Sequence, residues 1–213
     1  MTTTHYTPFE ELFNTLSHGI GVILSIVALI LMLYSVSPVN DGWRLAASII
    51  YGSSLILLYS SSTLYHAVTN VSAKFRLRQL DHAAIFILIA GTYTPFTLIN
   101  LRDNWGIPLF SVIWCIAIVG VIIELATGLK YKKLSLTLYL GMGWLVIIAI
   151  QPMLEHVETG GLLLLLAGGL SYSLGVIFYA WKRLYMHHAI WHLFVLTGSV
   201  MHFLAVYFFV LPL

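Results

Sequence analysis

Charge is scarce in this chain: Asp, Glu, Lys and Arg make up 8% of its 213 residues, and the formal net charge is only +2. Such a balance, with its basic residues in short clusters instead of a stripe, excludes a nucleic-acid surface. Cysteine is nearly absent. Cys115 is the single one and sits inside an apolar run, so neither a disulfide framework nor a cysteine-rich metal motif is available. The first residues, MTTTHYTPFEELFNTLSHG, lack the basic start of a signal peptide and carry Glu10 and Glu11, so no cleavable leader is expected. There is no repeat of fixed period and no low-complexity tract.

What fills the chain instead is apolar: 60% of residues, with a mean hydropathy of +0.94. Water is not its main solvent. Crossing about 30 Å of hydrocarbon takes roughly 20 apolar residues per helix. Apolar runs bounded by polar or Gly/Pro punctuation fall at about 19–36, 45–66, 82–101, 107–129, 134–153, 161–181 and 189–211. The expected fold is therefore an all-α membrane protein, a bundle of seven transmembrane helices. Residues 1–213 form one membrane domain, and 1–17 are read as a short cytoplasmic tail. Lys74, Arg76, Arg78, Lys130, Lys132, Lys133, Lys182 and Arg183 all fall in loops on one side, whereas the opposite loops hold only Arg44 and Arg102 beside Asp41, Asp103, Glu155 and Glu158. The positive-inside rule then puts the amino terminus in the cytoplasm and the carboxyl terminus outside. Close pairs of small residues, Gly141 with Gly143, Gly168 with Gly169 and Gly198 with Ser199, predict tight helix packing. Pro95 predicts a kink in the third span, with nearby threonines taking up the freed carbonyl.

Orientation gathers scattered polar residues into one cluster. The second span ends at His66, the third starts at Asp81-His82, the seventh starts at His187-His188-Ala-Ile-Trp-His192, and the first begins with Asn14-Thr-Leu-Ser17-His18. Four helix ends meet at one depth. Only His5, His156 and His202 lie clearly elsewhere. His188 and His192 are four residues apart, which puts both imidazoles on one helical face about 6 Å apart along the axis, a spacing suited to one metal ion. His187 breaks that geometry. His66 would complete a three-histidine set, which in zinc enzymes leaves the fourth position to water. Zinc lowers the pKa of such water from 15.7 to about 7. Asp81 is placed to accept its proton, and Ser62, one turn before His66, to hydrogen-bond the water or a developing oxyanion. The plainer readings are an interfacial anchor for any lone histidine, a helix cap or an ion pair with Arg76 or Arg78 for Asp81, and a partner in Lys130 or a neighbouring helix for Glu124. Ionisable groups in spans are nevertheless costly and usually functional.

Glu11-Leu-Phe-Asn14-Thr-Leu-Ser-His18 resembles an E-x2-N-x3-H opening, Ser62-x3-His66 a second motif, Leu80-Asp81 a third and His188-x3-His192 a last. Together, in this order over nearly the whole chain, they resemble the progestin and adipoQ receptors and their bacterial branch, the hemolysin III proteins. The resemblance implies zinc held by His66, His188 and His192, with Asp81 on its water and Ser62 beside the site. Glu11, Asn14, His18 and His82 would surround that centre. His82 departs from the receptor relatives and would alter water or substrate access. Amide-lipid hydrolysis, known in adiponectin receptors and the similar alkaline ceramidases, is the implied activity. The implied location is a bacterial inner membrane, crossed several times.

Three functions of different classes follow as expectations: a zinc-dependent hydrolase of a lipid amide or ester at the cytoplasmic leaflet, a non-catalytic sensor or homeostasis factor with structural zinc, and a membrane-disrupting cytolysin. A transporter fits less well, because no chain of polar residues crosses the bilayer and only Glu124, Gln151 and His202 occur elsewhere in the helices. Membrane lipids are the expected partners, and a homo-oligomer stays open.

Overall fold

The computed structural model describes residues 6–212, so His5 lies outside it. The described residues form eight α-helices: α1 Pro8–Val36, α2 Gly42–Ala67, α3 Val71–Pro95, α4 Ile107–Thr127, α5 Lys132–Gly143, α6 Ile150–His156, α7 Thr159–Ala180 and α8 His187–Phe209. Helices α5 and α6, joined by a 3-10 turn at Leu145–Ala149, make one span, and α3 continues to Asn100. Seven segments are thus long and apolar enough to cross a membrane.

Two spans begin about ten residues earlier than their apolar runs. The stretch read as a tail is helical from Pro8, because Thr7 and Glu10 form a reciprocal capping box and Pro8 takes the first turn. Helix α3 likewise starts at Val71, where the Asn70 side chain accepts from the Ala73 amide. Asp81 therefore sits well inside a helix and is no cap. Helix α1 buries Asn14, His18, Gly21, Ser25, Ala28, Met32 and Val36, a stripe of small and polar residues at helical spacing. Its opposite face shows Ile20, Ile23, Val27 and Ile30 to the surroundings, which suits lipid.

Helix α1 packs along α2, α2 along α3, α3 along α4 and α7 along α8, while α8 closes back on α1. Close approach depends on only some of the expected glycines and on others outside those pairs. A side chain at Gly141, Gly143 or Gly169 would meet open space, whereas one at Gly21 would collide with the Tyr59 ring and one at Gly120 with Phe86. Gly168 and Gly198 do lie at contacts, with His202 and Tyr172.

Past Pro95 the third span widens into π turns, with the Leu101 amide reaching back to Phe96 at 2.9 Å. Thr94 bonds the carbonyl of Ala90 and Thr97 those of Tyr93 and Thr94, so the threonines serve neighbouring carbonyls and not that of Gly91, which Pro95 frees. The break in the fifth span is repaired by a side chain from α3: Tyr93 Oη donates to the Met142 carbonyl at 2.8 Å and accepts from the Val146 amide at 2.9 Å. Non-helical backbone at membrane depth needs such a partner. At the far end Arg44 donates to the carbonyls of Val210, Leu211 and Pro212, tying α2 to the end of the chain.

Candidate metal centre

His66 lies in the last turn of α2, while His188 and His192 lie in the first two turns of α8. Their ring centroids are 5.0 Å apart for His66 and His188, 5.1 Å for His66 and His192, and 4.6 Å for His188 and His192. They form a nearly equilateral, fully buried triangle. One ring nitrogen from each lies within 4.8 Å of the others, and the Nε2 atoms of His66 and His188 are 3.2 Å apart. Nitrogens held tetrahedrally at about 2.0 Å from zinc are separated by roughly 3.3 Å, so the His66–His188 pair already has the spacing one ion needs and His192 lies within reach of the same point. His192 Nε2 is buried and has no protein partner. An unpaired donor nitrogen beside two imidazoles points to a ligand set more than to packing.

Two of the three rings are fixed from behind. His66 Nδ1 meets Glu11 Oε2 at 2.6 Å, and His192 Nδ1 meets Ser17 Oγ at 3.1 Å. A hydrogen bond on one ring nitrogen turns the other toward the metal and sets its tautomer. Glu11 is where the motif led one to expect support, and its other oxygen pairs with Lys74 at 2.9 Å. His18 stacks face to face on His192, centroids 3.5 Å apart, with its edge toward Tyr59. Asn14 is buried near it, and neither residue's side-chain polar atoms have a protein partner among the described residues. His187 is buried but outside the triangle.

Tyr6 was given no chemistry by sequence, yet it roofs the site. Just before α1, its ring stacks on His188 at 4.9 Å and lies 5.9 Å from that of His66. Burial pushes its hydroxyl far above the ordinary phenol range, so it stays neutral. Tyrosine at this place is invisible to spacing rules because it belongs to no helix.

Asp81 and Ser62 are both buried and adjacent. The Ser62 hydroxyl has no partner that meets hydrogen-bond geometry, and Asp81 makes no ion pair with Arg76 or Arg78 among the described residues. Asp81 lines a cavity of about 150 Å³ shared by His18, His82, Thr92, Lys132, Tyr172 and His202, with mostly apolar walls from α3, α5, α7 and α8. His82 accordingly faces the cavity, while its backbone carbonyl accepts from Tyr139. Glu124 is buried as well, and its carboxylate accepts from Tyr139 at 3.5 Å across to α5, so its partner is a neighbouring helix and not Lys130.

A family model described as haemolysin-III related matches residues 6–203. The Hemolysin-3 of Bacillus cereus is 47% identical over 203 residues, 95% of this chain and 93% of that protein. The Hemolysin-3 homolog of Bacillus subtilis (strain 168) is 43% identical over 204 residues, 96% of each chain. The human Monocyte to macrophage differentiation factor is 34% identical over 213 residues, 94% of this chain and 84% of its own.

Proposed function

The chain belongs to the haemolysin-III-related family, and from that premise we propose that it is a zinc-dependent hydrolase of a lipid amide or ester, working at the cytoplasmic leaflet of a bacterial inner membrane. The observation that carries the reading is the buried triangle of His66, His188 and His192 next to a largely apolar cavity with Asp81 in its wall. A structural zinc site is normally closed by four protein ligands, whereas three histidines leave a position open. Zinc, when bound, supplies a Lewis acid that polarises a carbonyl and makes hydroxide available near neutral pH.

The protein's own groups do the rest. The cavity takes the lipid chain and keeps bulk water from the reacting carbonyl. Asp81 accepts the proton given up by the attacking water and passes it to the departing amine or alcohol, so that acyl–N or acyl–O cleavage yields a fatty acid and a neutral leaving group. Ser62, buried beside Asp81, donates to the oxygen that gains charge. Lys132 at the cavity wall provides a cation for a lipid headgroup. The eight basic residues on this side support the cytoplasmic leaflet as the side of the site.

Metal analysis of the purified protein beside His66→Ala and His188→Ala tests the centre, and lipid turnover by wild type and Asp81→Asn tests the chemistry. About one zinc per chain is expected in the wild type and none in the histidine variants. Asp81→Asn should keep its metal and lose turnover by about 100-fold or more. A second reading has its own support: Asp81 makes no hydrogen bond to the three imidazoles among the described residues, as a structural zinc clamping α2 to α8 in a sensor would allow. Under it His66→Ala lowers thermal stability and Asp81→Asn is silent in cells. Two relatives carry the name Hemolysin-3, but a bundle of seven apolar spans reads as a resident of the bilayer, and lysis on overexpression as bilayer disturbance. Release of graded size markers from vesicles by the purified protein would favour the lytic role.

A further inference from the structure

By sequence Lys74 marks only orientation, while Arg76 and Arg78 are also candidate partners for Asp81. In the structure they part company. Arg76 is exposed on α3, whereas Lys74 turns inward to the end of α2. Its Nζ donates to Glu11 Oε1 at 2.9 Å, to the carbonyls of Tyr65 and Val68 at 3.1 Å each, and to that of His66 at 3.5 Å. Three of these four acceptors belong to the turn that carries or follows His66. The fourth is the carboxylate that holds its imidazole: Glu11 divides its oxygens, Oε1 to Lys74 and Oε2 to His66 Nδ1 at 2.6 Å. One ammonium therefore grips the backbone of the His66 turn and, through Glu11, its ring.

We propose that Lys74 is a positioning residue of the metal centre, locking Glu11 and the end of α2 so that His66 presents Nε2 to the ion. The inference rests on the metal reading above and adds to it a residue outside the motifs. Its physical basis is the freedom that Glu11 would otherwise have. Glu11 lies in the first turn of α1 and is only partly buried, with 19% of its side chain exposed. Without a fixed cation the carboxylate gains more from water than from a single imidazole, and swings out. His66 is then free to rotate and offer either nitrogen, and the preorganisation of the triangle is lost. A cation near the C-terminal carbonyls of a helix also stabilises that helix, but by an amount independent of Glu11 and of metal. The two roles therefore separate in a double-mutant cycle read on metal affinity.

The test uses the full chain in detergent, with Zn²⁺ affinity from chelator competition and the visible spectrum of the Co²⁺-loaded protein. Lys74→Met and Glu11→Gln should each weaken Zn²⁺ binding by about 10-fold to 100-fold, and the double variant should be no weaker than the worse single. The Co²⁺ bands of Lys74→Met should shift, and Arg76→Met should match the wild type in both readouts. The thermal midpoint of metal-free Lys74→Met should fall only slightly below that of metal-free Arg76→Met, by the small amount its contact with the end of α2 supplies. Wild-type affinity in Lys74→Met, additive losses in the double variant, or a loss matched by collapse of the metal-free protein would each overturn the role of Lys74 while leaving the metal centre standing. A wild type that binds no divalent metal would overturn both.

Discussion

At the scale of single residues, the candidate centre is held by hydrogen bonds made behind the histidine rings. Ser17 Oγ is the partner of His192 Nδ1 at 3.1 Å, and the same hydroxyl also reaches the Asn14 carbonyl at 3.0 Å. A hydroxyl already committed to a carbonyl donates there and accepts from the ring, which makes Nδ1 the protonated nitrogen and leaves Nε2 bare for metal. Ser17→Ala removes one neutral hydrogen bond, worth about 0.5–1.5 kcal/mol, so Zn²⁺ affinity should fall by roughly 3-fold to 10-fold in the same competition assay. An unchanged affinity would mean that neighbouring packing, including the His18 ring on His192, orients His192 unaided. Spacing alone made the His188 and His192 pair legible, since an i,i+4 step fixes both rings on one face, and topology brought His66 to them. Ser17, Tyr6 and Lys74 were not legible in these roles. Their positions depend on side-chain rotation and on a segment ahead of the first helix, which no periodicity reports.

At the scale of elements, apolar runs marked where hydrocarbon is crossed but not where helices begin. Helices α1 and α3 run past their apolar portions because side-chain caps at Thr7 and Asn70 satisfy the orphan amides of turns that carry Glu11, Lys74 and other polar residues. The site is built from those polar extensions, so an apolar run that starts near residue 19 marks none of the turns that carry Glu11, Asn14 and Ser17. Small residues gave a second incomplete signal. A pair of glycines shows that close approach is affordable, not which neighbour uses it. Gly21 lies against the ring of Tyr59, a side chain only 1% exposed whose hydroxyl bonds Ser199 at 2.7 Å, so the ring cannot withdraw without breaking the α2–α8 contact. Gly21→Ala should therefore destabilise by about 1–3 kcal/mol through overpacking. Gly141→Ala, with nothing near the added carbon, should be neutral or stabilise by about 0.5–1 kcal/mol from lost backbone freedom in the unfolded chain. Thermal midpoints of the two variants in one detergent check the pair, and equal effects would contradict the packing.

At the scale of the whole molecule, the two ends of the bundle are built differently, and the proposed chemistry needs them to face different compartments. One end gathers Glu11, Lys74, Asp81 and the histidine triangle, with Lys130, Lys182 and Arg183 in nearby loops and Lys132 and Lys133 at the start of α5. The other is closed by Arg44 on the carbonyls that follow α8 and by Arg102 stacked on Trp43. The excess of basic residues at the first end predicts that it stays in the cytoplasm. Arg76 and Asp103 are exposed at opposite ends, which makes them reporters once Cys115, the one native thiol, is replaced by serine. In intact spheroplasts a membrane-impermeant maleimide should label Asp103→Cys and spare Arg76→Cys, and lysis should expose both. The reverse pattern would keep the triangle and its cavity but turn them to the outer leaflet. Metal loading would then draw on the medium instead of the cytosol, and the lipid presented to Asp81 would be that of the outer leaflet, so labelling decides the side from which any substrate must come.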